Sequence, residues 1–330
     1  MNFVVSLLLS CGASFLFLCL VFRPLELAFP AKPGGKFFRP HWGTDLCFFI
    51  GQYLLFSGAV YFVLSLAEGW LQNWIPSGWR TAVGQQAWWL QAIEVVFLSD
   101  FFIYWGHRLQ HRVGWLWRFH AIHHTAEHLD WLAAHREHPV DTIYTMGLIN
   151  LPAFLLGFPL ETLAGLIAFR GIWAIYIHSN VRLPIGPLRI LIGAPELHHW
   201  HHDRDRDAGN YANISPLMDW LFGTYRCPDH EPESFGLREP IAQNYFLQLA
   251  HPFLPQRRAE RAAAGSVAAE ALVAAPMRND CGAAATAPPL PRAWDGQPAA
   301  QACDWSESHG DLRENGSSST ATRLAESVVE

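Results

Sequence analysis

Long charge-free apolar runs separated by short polar connectors occupy the first two thirds of the chain, a pattern that predicts membrane-embedded helices. The first run, Phe3 to Val21, is nineteen residues without a charge, enough to cross a hydrocarbon core of about 30 Å as a helix. No positive charge precedes it and no small-residue cleavage pattern follows, so it is read as a retained span rather than a secretory signal. Arg23, Lys32, Lys36 and Arg39 then fall in a connector containing Pro and Gly, and basic residues in short loops mark the cytoplasmic side. A second span is predicted from Leu46 to Leu66. The loop from Ala67 to Gly84, with Glu68, Arg80 and the interface-type residues Trp70, Trp74 and Trp79, is placed outside.

The third predicted span, Ala87 to Trp105, carries Glu94 and Asp100, and acidic groups at membrane depth are functional candidates. It delivers His107 to its cytoplasmic end. Between Asp141 and Arg170 the only charge is Glu161, with Gly157 and Pro159 near the middle; this predicts a helical hairpin that enters and returns. A single crossing would strand His178 away from the other histidines. The stretch from Asp203 to Asn213 is charged and turn-rich, and Pro216 to Tyr225 is amphipathic. Beyond Pro255, runs such as RAAAGSVAAEALVAA and ENGSSSTATR offer too little apolar surface to order a core, so 256–330 is expected to be a disordered tail. The expected fold is an all-α integral membrane protein, multi-pass, with about four to five membrane-embedded helices and a cytoplasmic helical cap.

Composition agrees with a membrane protein: only 16% of residues are charged and 51% are apolar, against about a quarter charged in soluble domains. A net charge of −6 gives no basic surplus for nucleic acid, and that class is excluded. The six cysteines are scattered without a CxxC pair. Histidine is the anomaly, because 13 of 17 lie between His107 and His202.

Those histidines fall in clusters. His107 and His111 are four apart, so on a helix both imidazoles share one face. His120, His123 and His124 repeat the spacing, as do His198, His201 and His202, and His178 stands alone between them. These nine exceed what one ion of four to six ligands can use, so two metals are the natural count. Imidazole suits iron, zinc, copper or nickel, whereas the cysteine-rich spacing of structural zinc and the H-E-x-x-H of metalloproteases are absent. Asp100, Tyr104, His107 and His111 share a helical stripe, which makes Asp100 a candidate acceptor for a ligand histidine's free N–H.

HRLQH, HAIHH, HSN at 178–180, PIGPLR, PELHHWHHDRD and LMDWLFGTY together resemble the fatty acid hydroxylase and sterol desaturase superfamily, over roughly Asp100 to Tyr225. The resemblance implies that 1–255 is a membrane-embedded catalytic domain with a non-haem centre of two Fe ions. It further implies that O2 hydroxylates or desaturates a lipid, sterol-like or fatty-acyl, with electrons from an external reductase, ferredoxin or cytochrome. By the same resemblance His107, His111, His120, His123, His124, His178, His198, His201 and His202 are the metal ligands. Some members carry a further histidine where this chain has Arg182. Water, Asn180, His199 or His138 remain alternatives for that place, with Asn180 and Asp100 also read as supports for ligands. Two rival classes are a metal-ion transporter, with histidines facing one another across a pore, and a bis-histidine haem protein.

Overall fold

The structure, a computed structural model, describes residues 2–158, 164–239 and 241–254. The expected disordered tail therefore lies outside the described residues. Among the described residues the architecture is helical, with isolated bridges at Pro30–Val181 and Asp203–Phe235 but no strand.

Helix α1 (Phe3–Ala28) runs past the predicted end at Val21 and takes in Arg23, Pro24 and Glu26. Those charges are absorbed by packing. Arg23 sits 3.6 Å from Glu26, and the Glu26 carboxylate, 4% exposed, accepts the backbone N–H groups of Trp131 and Asn180. Leu8, Leu16 and Leu20 are exposed, as suits a lipid-facing surface. Cys11, Leu18 and Phe22, spaced to share one face, pack with Phe49, Trp131, Leu132 and Ile175.

The second span is longer than the charge-free run that predicts it. Helices α2 (Trp42–Gly51) and α3 (Ser57–Gln72) are joined by a π-helical turn, Gln52–Phe56, into one apolar stretch of 31 residues. Helix α4 (Ser77–Gly84) then meets α5 (Trp88–Arg112) at 114°. Helix α5 continues beyond the predicted Trp105, so His107 and His111 lie in its last two turns.

A short helix, α6 (Gly114–His120), and a 3-10 turn at His123–Thr125 follow. Helix α7 (Pro139–Leu156) leaves the histidine end, capped by the His138 side chain accepting from Val140 N–H and closed by Gly157 at φ 88°. Helix α8 (Ala164–His178) returns to it. Both described limbs of the predicted hairpin are thus present. Helices α5 and α7 touch at Gly106, where a Cβ would lie 2.0 Å from Leu148 Cδ1; any larger residue there must displace the Leu148 side chain. Ser99 Oγ donates to Ile149 O across the same seam.

Helices α9 (Pro195–His201), α10 (Leu217–Leu221) and α11 (Tyr245–Ala250) complete the histidine end. Among the described residues three helical segments are long and apolar enough to cross a membrane, or four if α4 and α5 form one broken span. Arg39, counted among the basic residues that place this end toward the cytoplasm, is buried, as is Arg136. Asp45, fully buried, holds Arg39 at 2.7 Å and Arg136 at 2.5 Å, and Arg39 also grips Asp130.

Candidate metal centre

The nine clustered histidines converge as two groups, each with one nitrogen per ring within 4.8 Å of the others: His107, His111, His120, His124 and His201, and separately His123, His178, His198 and His202. Four elements supply the first group. The end of α5 gives His107 and His111, α6 gives His120, the 3-10 turn gives His124, and α9 gives His201. Helix α8 ends on His178, which reaches His123 at 2.8 Å and His198 at 2.9 Å between Nε2 atoms.

Hydrogen bonds at the outer ring nitrogens decide what the inner ones can do. His107 Nδ1 donates to Tyr211 O at 2.8 Å, His111 Nδ1 to Arg206 O at 2.5 Å and His201 Nδ1 to Gly209 O at 2.8 Å. His123 Nδ1 donates to Arg136 O at 3.1 Å and His178 Nδ1 to Ala174 O at 2.6 Å. His120 Nδ1 donates to the Asp141 carboxylate at 2.9 Å. A carbonyl or carboxylate can only accept, so Nδ1 carries the proton in each, and burial disfavours the doubly protonated cation, which leaves a bare lone pair on Nε2.

Two such lone pairs then face each other at 3.0 Å between His107 and His120, and again between His123 and His178. Neither contact can be a hydrogen bond, because neither nitrogen has a proton to give. The buried Nε2 atoms of His111 and His201 have no partner at all. Buried acceptors in this state cost roughly 1–3 kcal/mol each, and cations satisfy them together. The donor set is all imidazole, which fits iron, zinc, copper or nickel and does not fit magnesium or calcium.

Burial reinforces the neutral form. It is the main cause that pushes His120, His124, His198, His201 and His202 well below the usual imidazole range, with repulsion from neighbouring rings adding to it. His123 is pushed down to about 4, again by burial.

Residues 203–213, legible in the sequence only as a charged, turn-rich stretch, supply the carbonyls for His107, His111 and His201. Gly209 stands at φ 88°, where a Cβ would lie 2.3 Å from Thr224 O; only glycine can present its carbonyl there. Asp219 braces the loop by accepting from Tyr211 N–H at 2.7 Å, Ala212 N–H at 2.8 Å and the Thr224 hydroxyl at 2.7 Å. Burial pushes its carboxyl up to about 7.

The remaining candidates lie elsewhere. Asp100 does not touch a histidine: it accepts from Arg170 at 2.9 Å and from the backbone N–H groups of Ile214 and Ser215. Asp141 holds the position that the helical stripe suggested for Asp100. The Asn180 side chain pairs with the backbone of Lys32. His199 gives both ring nitrogens to oxygen, Nδ1 to Glu231 at 2.7 Å and Nε2 to Ser179 O at 3.1 Å. His138 uses Nδ1 to cap α7 and Nε2 on Leu249 O. Neither belongs to a group, and the group of four stays one imidazole short of its neighbour.

Residues 92–224, which carry all nine histidines, match the family model described as fatty acid hydroxylase. By that match residues 92–224 are similar to the fatty acid hydroxylase family. The chain is 34% identical over 178 residues to the ornithine lipid hydroxylase OlsE of Rhizobium tropici, covering 52% of this chain and 54% of that one. It is 33% identical over 144 residues to the alkylglycerol monooxygenase of Homo sapiens (43% and 32% covered). A third fatty acid hydroxylase relative is the very-long-chain aldehyde decarbonylase GL1-11 of Oryza sativa subsp. indica, 31% identical over 154 residues (44% and 58% covered). The chain thus spans between about a third and three fifths of the length of these relatives. No solved structure matches it.

Proposed function

We propose that this protein is a membrane-bound oxidoreductase that uses O2 to hydroxylate or desaturate a C–H bond of a lipid, sterol-like or fatty-acyl. In this reading its nine histidines hold two iron ions. The observation that carries the reading is the set of bare, mutually facing Nε2 atoms in two groups, within the region, residues 92–224, that matches the fatty acid hydroxylase model. Two of the three relatives are named for adding oxygen to a lipid. Bound iron would supply one-electron and O2 chemistry that no side chain offers.

The protein's own part is positional. Asp141 and the carbonyls of Tyr211, Arg206, Gly209, Arg136 and Ala174 fix ring orientation. Tyr104, Tyr211 and Met218, all buried together, keep water from the first group on the side facing α5. Electrons come from a separate reductase, ferredoxin or cytochrome, reached on the cytoplasmic side to which the basic loops assign the histidines. The transporter alternative expects ligands spread along a pore through the spans. Here the imidazoles gather where α5 and α8 end, as an enclosed centre requires.

Lipid extracts from cells with and without the protein, grown under labelled O2, test the reading. The expected result is a lipid that gains one labelled oxygen or loses two hydrogens only when the protein is present, and not with His124→Ala inserted in the membrane at equal level. An unchanged lipid profile accompanied by altered metal uptake would favour transport instead.

A further inference from the structure

Two apolar grooves run along α5, sharing Ile93 and Phe97. The first, about 360 Å³, opens toward α4 and α7 past Trp79, Val83 and Leu156, and ends on Gln86 and Glu94. The second, about 380 Å³, lies between Ala92 and Val96 of α5 and the facing residues Leu191, Ile214 and Leu217, and closes on Asp100 and Met218. Their walls distinguish them. Behind the second groove is a single layer of chain, residues 212–219. Ile214, Ser215, Leu217 and Met218 line the groove, while Ala212, Asn213, Pro216 and Asp219 line a small chamber on the other side that reaches His198.

Met218 is the deepest part of that wall. It is 2% exposed and packs with Tyr104 and Tyr211. The Tyr211 ring in turn lies 5.2 Å from that of His111, 5.7 Å from His107 and 5.6 Å from His201. The backbone of the wall is pinned. Asp100 accepts from Ser215 N–H at 3.0 Å and Ile214 N–H at 3.4 Å, Arg170 grips Asp100, and Gly193 N–H donates to Ile214 O at 2.5 Å. What can yield is therefore the Met218 side chain, an unbranched thioether that adapts to irregular space.

We infer that the groove between α5 and residues 214–218 binds the alkyl chain of the lipid substrate, and that Met218 sets which carbon of that chain reaches the histidines. The inference rests on the lipid-oxidising reading above. An alkyl chain is the fitting occupant because the α4–α5 pair is apolar enough to lie in a membrane, as a broken span or a re-entrant loop, and the lining of the groove offers an acyl chain dispersion contacts. The companion groove has no wall in common with either histidine group.

Product position and chain binding are measured separately. Met218→Ala is expected to move the site of oxidation along the chain by at least one carbon, with Met218→Leu staying at the wild-type position. Val96→Trp, which fills the groove, is expected to lower conversion at least tenfold, whereas Val83→Trp in the companion groove leaves conversion and position unchanged. Each variant is compared at equal membrane insertion and equal bound metal. In parallel, a fatty acid carrying a photoreactive diazirine on its chain is cross-linked to the purified protein without turnover. Labelling of the peptide spanning 211–222, reduced in Val96→Trp, is expected. Product with an unmoved position in Met218→Ala and no labelling of that peptide overturns the inference while leaving the functional reading intact. Labelling without any oxidised lipid upholds the groove and counts against the functional reading.

Discussion

In the group of His107, His111, His120, His124 and His201, four imidazoles give Nδ1 to a protein oxygen. In the group of His123, His178, His198 and His202, only His123 and His178 do so, and the buried Nδ1 atoms of His198 and His202 have no partner. Rings fixed by a second hydrogen bond have already lost their rotational freedom and are more basic ligands. The same residue type thus builds a five-imidazole site held rigid from outside and a four-imidazole site held more loosely. In the proposed two-iron reading, the first group would hold its ion more firmly, and the second, with one imidazole fewer, would leave a place for an exogenous ligand.

The largest expected effect comes from removing a ring from either group. His201→Ala and His202→Ala should each lower O2-dependent lipid product by at least ~100-fold, as loss of a group acting within a unit does. Full activity in either variant would remove that group from the chemistry.

Asp141→Asn sharpens the contrast between the groups. It should weaken metal binding in the first group by ~10–100-fold, the usual effect of losing a carboxylate that orients a ligand histidine, while the second group is unaffected. Chelator titration measures this, and equal losses from both groups would break the distinction.

Acid should act on both groups. His123 has a folded value of about 4, below the unfolded value near ~6.5, so between those limits the unfolded chain binds more protons. Stability from the neutral ring is complete above ~6.5 and declines as pH falls toward 4. Tm of the metal-free protein should therefore hold from pH 8 to about 6.5 and drop steadily below that, and acid should also favour release of any bound metal. A Tm that rises on acidification would contradict the assignment.

The smallest effect is expected at His199. With both nitrogens given to Glu231 and Ser179, His199→Gln should cost ~1–3 kcal/mol of stability and leave the metal count unchanged. Lost metal would place His199 inside a site.

The clusters are legible in the sequence because ligand spacing on a helix is a local property: His107 and His111 require only that α5 continue. The return of α8 to deliver His178 follows from the sequence only when the break at Gly157 and Pro159 is joined to the requirement that His178 lie beside the other histidines. Asp100 misled because a helical stripe specifies a face and not a distance. Seven residues before His107, it lies about 10 Å away along the axis, beyond the reach of a carboxylate. Asp141, thirty residues after His111, reaches His120 through the packing of α7 beside α5 and α6, and such a long-range approach leaves no periodic trace. The carbonyls of Arg206, Gly209 and Tyr211 had no side-chain signal at all, although Asp219 in LMDWLFGTY, which braces them, lay within a quoted motif. The Arg39 charge, one of those that orient the chain, serves with Arg136 a buried ion-pair network around Asp45.

Metal content per chain tests the two-group centre most directly. Elemental analysis of the purified, detergent-solubilised protein should find two irons per chain, falling to about one in His201→Ala while the fold is retained. Wild-type protein that reproducibly takes up one ion or none when supplied with ferrous iron, or a His201→Ala variant that keeps both, would contradict it.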